Sequence, residues 1–187
     1  MPAAVYRHFT QEALDHAYDN RRAVPDYMRY RDDWTRRSEA VYAGVRCDRD
    51  RAYGAGPRQR LDFFHCGAAG RPTFAYIHGG YWQWNEKETH AFVGEGLLAR
   101  GINVVQIEYT LAPAATMTQI AEEARMAMRW LLPRLVPEFG ASDRLAVGGH
   151  SAGGHLSAIA LEVPGLAGGL LISGLYDLEP IMHSYLN

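Results

Sequence analysis

Residues 149–153, Gly-His-Ser-Ala-Gly, set one serine with a glycine two residues away on either side. An apolar run (RLAVGGH, 144–150) gives way there to a helix-compatible one (SAGGHLSAIALE, from Ser151). Strand, tight turn and helix around G-x-S-x-G is the setting in which a serine acts as a nucleophile. So sharp a turn strains the serine backbone and lifts its hydroxyl above the sheet, and larger side chains at Gly149 and Gly153 would collide with their neighbours. His150 lies inside the motif and supports it. The Ala152 amide opens the helix, whose dipole favours a developing negative charge. Glycine-rich helix starts also arise by chance, but the strand in front and the helix behind favour Ser151 as a nucleophile.

A serine attacking a carbonyl creates an oxyanion, and one backbone donor rarely suffices to hold it. The stretch FAYIHGGYWQW, residues 74–84, ends a strand-like run in His78-Gly79-Gly80 and follows it with Tyr81, Trp82 and Trp84. Bare glycine amides can approach such an oxygen closely, and losing one donor typically costs about 100- to 1000-fold in rate. Gly79, Gly80 and Ala152 are therefore the expected oxyanion donors. Tyr81, Trp82 and Trp84 can form a wall against which an aromatic leaving group stacks. For Trp84, plain core packing is an equal alternative.

These residues resemble the α/β-hydrolase fold family. HGGYW and GHSAGGHL are similar to the HGG-x-W and GHSAGG of its kynurenine formamidase (arylformamidase) branch, rather than to the HGGG and GDSAGG of hormone-sensitive-lipase-like esterases. AYDNRRAVPDY, EYTLAP and SGLYDLEPI extend the likeness over almost the whole chain. The resemblance implies a serine hydrolase that cleaves an aryl formamide such as N-formylkynurenine through a formyl-serine intermediate, with no cofactor. It makes Ser151 the nucleophile, keeps Gly79, Gly80 and Ala152 as oxyanion donors, and gives His78 a structural part in the loop. It also suggests a lid from Tyr18, Tyr27, Tyr30 and Trp34, against which stands ordinary packing of each ring. Two other readings stay open: a carboxylesterase on the same scaffold, and an inert remnant that keeps the serine turn but has no base.

In this fold the triad acid and histidine follow the serine along the chain. The resemblance puts them on strands beyond AGGLLISGLY, and this sequence has none there. Asp177 and His183 are the substitutes at hand, but YDLEPIMHSYLN reads better as a helical cap segment. His155, about one turn past the serine, reads as structural. The expectation is a C-terminally truncated portion of a hydrolase of about 260–280 residues. Its last strand would be an apolar edge inviting a second chain, and a homodimer is one way to cover it.

The elements that must position these groups alternate. Residues 1–39 suggest a helical, lid-like segment, with one or two short helices from Gln11. AVYAGVRC (40–47) and RLDFFHC (60–66) read as strands joined by the turn-rich RAYGAGPRQ, and TFAYIH (73–78) as a strand buried on both faces. A helix over 86–100 ends at Gly101, and INVVQIEY (102–109) is a strand. Ile120, Ala124, Met128, Leu131 and Leu135 make one helical face. RLAVGGH, the Ser151 helix and AGGLLISGLY (167–176), read as another buried strand, complete a single, incomplete α/β domain: a mostly parallel sheet with helices on both faces, lacking its last strands.

Composition excludes more than it identifies. A net charge of -2 over 187 residues gives no pull toward nucleic acid or an anionic membrane. No basic-then-apolar start marks a signal peptide, and no run approaches the ~20 apolar residues of a membrane span. Cys47 and Cys66 are expected as reduced thiols of a cytoplasmic protein. The eight histidines show no ligand spacing and no lysine completes a phosphate loop, so neither metal nor nucleotide is expected.

Overall fold

The computed structural model describes residues 3–187, which divide into two compact units, Trp34–Gly174 and the pairing of residues up to Asp33 with Leu175–Asn187. The larger unit holds a six-stranded sheet. Its strands are β3 (Cys47–Ala52), β4 (Arg60–Phe64), β5 (Thr73–Ile77), β6 (Asn103–Ile107), β7 (Leu145–His150) and β8 (Leu166–Ile172), in the order β3-β4-β6-β5-β7-β8. β3, β4 and β6 pair antiparallel, while β6, β5, β7 and β8 run parallel.

Strand β5 sits between β6 and β7, with Ile77 level with Ile107 on one side and Gly149 on the other. The chain leaves β5 toward β6 and then crosses back to β7, so strand order reverses at β5. In open α/β sheets such a switch leaves a crevice at the strands' carboxyl ends. Phe63, Ala75, Ile77, Val104, Val105 and Val147 are fully buried. Each of the valine, isoleucine and phenylalanine side chains among them contributes roughly 1.5–3 kcal/mol.

The helices follow their sequence signals. Thr116 caps α5 (Met117–Leu131) in a reciprocal capping box with Gln119. The apolar stripe Ile120, Ala124, Met128 and Leu131 is buried, as is Leu135 just beyond. Helix α6 (Ala152–Ala160) packs on β5, β7 and β8 and alongside α5. The segment expected as a helix over 86–100 is a 3-10 helix, Lys87–Gly94, followed by one turn of α-helix, α4 (Glu95–Leu98).

Two stretches differ from the sequence reading. AVYAG is not a strand but the end of α3 (Tyr27–Gly44), an 18-residue helix that buries Ser38 and Val41. Val41 packs against Phe64, Ala91 and Val104, so tertiary burial overrides a local β-branched pattern. The strand begins later, at Cys47, and takes in the start of the supposed turn. Strand β8 is not buried: Leu170 is 55% and Ile172 44% exposed at the sheet edge.

In the smaller unit β1 (Ala4–Tyr6) and β2 (Phe9–Thr10) form an antiparallel pair, followed by α1 (Gln11–Tyr18) and α2 (Asn20–Ala23). Residues 175–187 join it with a single turn, α7 (Glu179–Met182). Gln11 donates to the His183 carbonyl at 2.8 Å, and the Tyr185 amide donates to Asp15 at 2.7 Å.

Candidate active site

Ser151 lies between β7 and α6 with φ 58° and ψ -122°, a strained conformation for a residue with a side chain. Its amide donates to the Ile172 carbonyl at 2.9 Å, tying the turn to β8. The side chain is partly exposed, and no described group hydrogen-bonds its hydroxyl. The turn is this tight because α6 presses on β5. A Cβ on Gly153 would stand 1.9 Å from the Ile77 carbonyl oxygen and 2.7 Å from that of His78. The first amides of α6, beginning with Ala152, have no acceptor within their own helix.

The His78-Gly79-Gly80 loop reaches the same place from β5. A Cβ on Gly79 would lie 2.7 Å from the His150 carbonyl oxygen and 3.3 Å from Ser151 Cβ. The loop therefore rests on the serine turn with bare backbone. Its peptide orientation is set from behind, where His78 Nδ1 (2.9 Å) and Asn85 Nδ2 (3.1 Å) both hold the Gly79 carbonyl oxygen. In a trans peptide the next N–H points the opposite way. That N–H belongs to Gly80, and it donates to no described group.

Glu108 anchors the loop's histidine. Its Oε1 meets His78 Nε2 at 3.1 Å and accepts from Arg58 Nη2 at 2.7 Å and the Tyr109 amide at 2.9 Å. Oε2 accepts from the Lys87 amide at 3.0 Å. Burial alone would raise the Glu108 pKa, but His78, then Arg58 and the Lys87 amide, hold it below the ordinary carboxylate value. Arg58 also donates to the carbonyls of Tyr109 and Asn85. His90 stacks on His78 with ring centroids 5.6 Å apart. Burial first, and the neighbouring His78 second, lower its pKa to about 4.

The aromatic cluster divides. Trp82 is buried, its ring edge-on to His155 at 5.3 Å. Trp84 is 39% exposed and meets Tyr81 edge-on at 6.1 Å, so core packing does not account for it. Trp34 stacks on Phe92 at 5.5 Å. His150 is exposed, while Gly149 sits against the Ile77 carbonyl. Asp177 contacts Tyr6 and Arg7, and His183 stacks on Tyr6; the two make no hydrogen bond to each other. Asn85, Arg58 and Glu108 carried no role in the sequence reading. The available signal was the charged residue closing an apolar strand, Glu108 in QIEYT.

A model of the alpha/beta hydrolase fold family matches residues 74–185, spanning both the Gly79 loop and Ser151. This chain belongs to the alpha/beta hydrolase fold family. Kynurenine formamidase of Salmo salar is 32% identical over 145 residues, 72% of this chain and 48% of that protein. The carboxylic ester hydrolase LipN of Mycobacterium tuberculosis is 36% identical over 99 residues, 52% of this chain and 26% of that protein. The crystal structure of a candidate thioesterase from Silicibacter sp. tm1040 superposes with TM-score 0.83 at 28% identity, covering 93% of this chain and 68% of that one. The chain spans about half the length of the kynurenine formamidases it matches. The matched span takes in the strand-to-helix turn at Ser151 and the Gly79 loop that rests on it. Among the described residues no helix is long and apolar enough to cross a membrane, no group of metal-binding side chains assembles, and both cysteines are free.

Proposed function

We propose that Ser151 is the nucleophile of a hydrolase acting on an aryl formamide. The observation that carries this reading is the contact of Gly79 with Ser151 while the Gly79 carbonyl is turned away by His78 and Asn85. In this account the Ser151 hydroxyl passes its proton to a general base, which later hands it to the leaving arylamine, while its oxygen attacks the formyl carbon and the electron pair of the C=O bond moves onto oxygen. The amides of Gly79, Gly80 and Ala152 stabilise that oxyanion. Its collapse breaks the carbon–nitrogen bond and releases the arylamine, which takes up a proton. Water then cleaves formyl-Ser151 to formate and restores the hydroxyl. In this reading Tyr81 and Trp84, whose rings meet edge-on beside the loop, receive the arylamine, and the likeness to kynurenine formamidases favours an N-formylkynurenine-like substrate.

His78 is committed to Glu108 and Gly79, and His155 faces Trp82 with no carboxylate hydrogen-bonded to it among the described residues. The reading therefore needs a general base that Ser151 does not touch here. Carboxyl esters form the second reading, supported by the likeness to LipN. We place the protein in the cytoplasm on its free thiols, and take a homodimer along exposed β8 as its assembly, which sedimentation checks directly.

The test compares N-formylkynurenine with a short-chain aryl ester and measures labelling by a fluorophosphonate, with Ser151→Ala as the blank. Formamide turnover above ester turnover, with labelling lost in the blank, is expected. Ester preference moves the assignment to the second reading. Labelling that survives in Ser151→Ala ends the nucleophile reading.

A further inference from the structure

Trp82 Nε1 and His155 Nδ1 are both buried without a hydrogen-bond partner among the described residues, and they belong to rings in contact. Buried polar atoms are nearly always paired, and an orphan is costly. The two are chemically complementary. An indole N–H can only donate, and a neutral imidazole always has one nitrogen free to accept. Burial lowers the His155 pKa, which keeps the ring neutral near pH 7.

Their positions give the pairing a consequence. Trp82 follows Gly80 by two residues, and its carbonyl is fixed by the Ala112 amide at 2.8 Å. His155 lies one helical turn past Ser151, its amide donating to the Ser151 carbonyl at 3.1 Å. A bond between the rings would join the oxyanion loop directly to the nucleophile's helix. The ring centroids stand 5.3 Å apart, and the imidazole's terminal torsion is a broad one about which the ring can turn.

We infer that Trp82 Nε1–H and His155 Nδ1 form a donor–acceptor latch that sets the separation between the oxyanion amides and Ser151. The latch rests on the reading of Ser151 as nucleophile. Trp82 then serves as a positioning residue rather than as a wall for substrate, and His155 is its acceptor. The proton of His155 resides on Nε2.

Nitrogen-15 NMR of the full chain tests the bond directly. The Trp82 indole resonance, assigned by its loss in Trp82→Phe, should show scalar coupling to His155 Nδ1 across the hydrogen bond. An absent coupling, or the proton found on Nδ1, overturns the latch. Fluorophosphonate acylation tests its purpose. Trp82→Phe and His155→Phe should each slow acylation about tenfold, and the double variant about as much as either single, since coupled residues are non-additive. His155→Gln, which restores an acceptor, should recover most of the rate. Additive slowing, or no slowing, overturns the proposal. Should the wild type fail to label at all, the nucleophile reading falls while the NMR coupling still decides the latch.

Discussion

Replacing Gly79 with alanine is the sharpest probe of the geometry on which catalysis would depend. The added methyl would sit 2.7 Å from the His150 carbonyl oxygen, a backbone atom held in the serine turn. Carbon and oxygen settle no closer than about 3.3 Å, so the loop must retreat by roughly 0.6 Å. Sites of this kind tolerate errors of about 0.5 Å, and one misplaced oxyanion donor costs about 100- to 1000-fold, or about 3–4 kcal/mol of transition-state stabilisation. The assay is the acylation rate of Ser151 by a fluorophosphonate, together with aryl formamide turnover, for wild type and Gly79→Ala. Urea unfolding of both proteins separates loss of fold from loss of alignment. A loss of at least about 100-fold with a native-like unfolding transition is expected. Acylation within threefold of wild type in a folded variant would refute the idea that this loop and Ser151 share one oxygen.

Other expectations follow from the same contacts. Gly153→Ala would put a methyl 1.9 Å from the Ile77 carbonyl, and because backbone cannot yield there, urea unfolding should show a loss of about 3 kcal/mol or more. Glu108→Gln removes the charge that four donors share and should cost about 2–4 kcal/mol in the same assay, with a fall in acylation rate as His78 loosens its hold on the Gly79 carbonyl. His90 is buried and neutral, with a pKa of about 4 against 6.5 when unfolded. The unfolded chain therefore binds the extra proton first as pH falls. The stabilising contribution is complete above pH 6.5 and is lost between there and about 4, amounting to about 3 kcal/mol. Unfolding across that range should show a shallower pH slope for His90→Phe than for wild type, and equal slopes would discredit the assignment. Glu108, whose pKa is held low, works in the same direction at more acidic pH.

The sequence by itself determined the alternation of strands and helices, because apolar runs such as TFAYI and NVVQI are long, local signals. It likewise marked the α5 stripe and placed a serine at a strand-to-helix turn, since backbone demands of that kind select glycines at fixed spacing. What it could not determine were features set by partners distant in the chain. AVYAG reads locally as a strand and becomes helix because Val41 finds Phe64 and Val104. Trp82 and His155 are far apart in sequence and meet only because α6 packs on β5. The turn of the Gly79 carbonyl away from Ser151 depends on His78, which is held in place by Glu108 and, through it, by Arg58, both far from the glycines in sequence. Periodicity records which face of an element is buried, whereas hydrogen-bond direction is decided only once separate strand ends have been brought together.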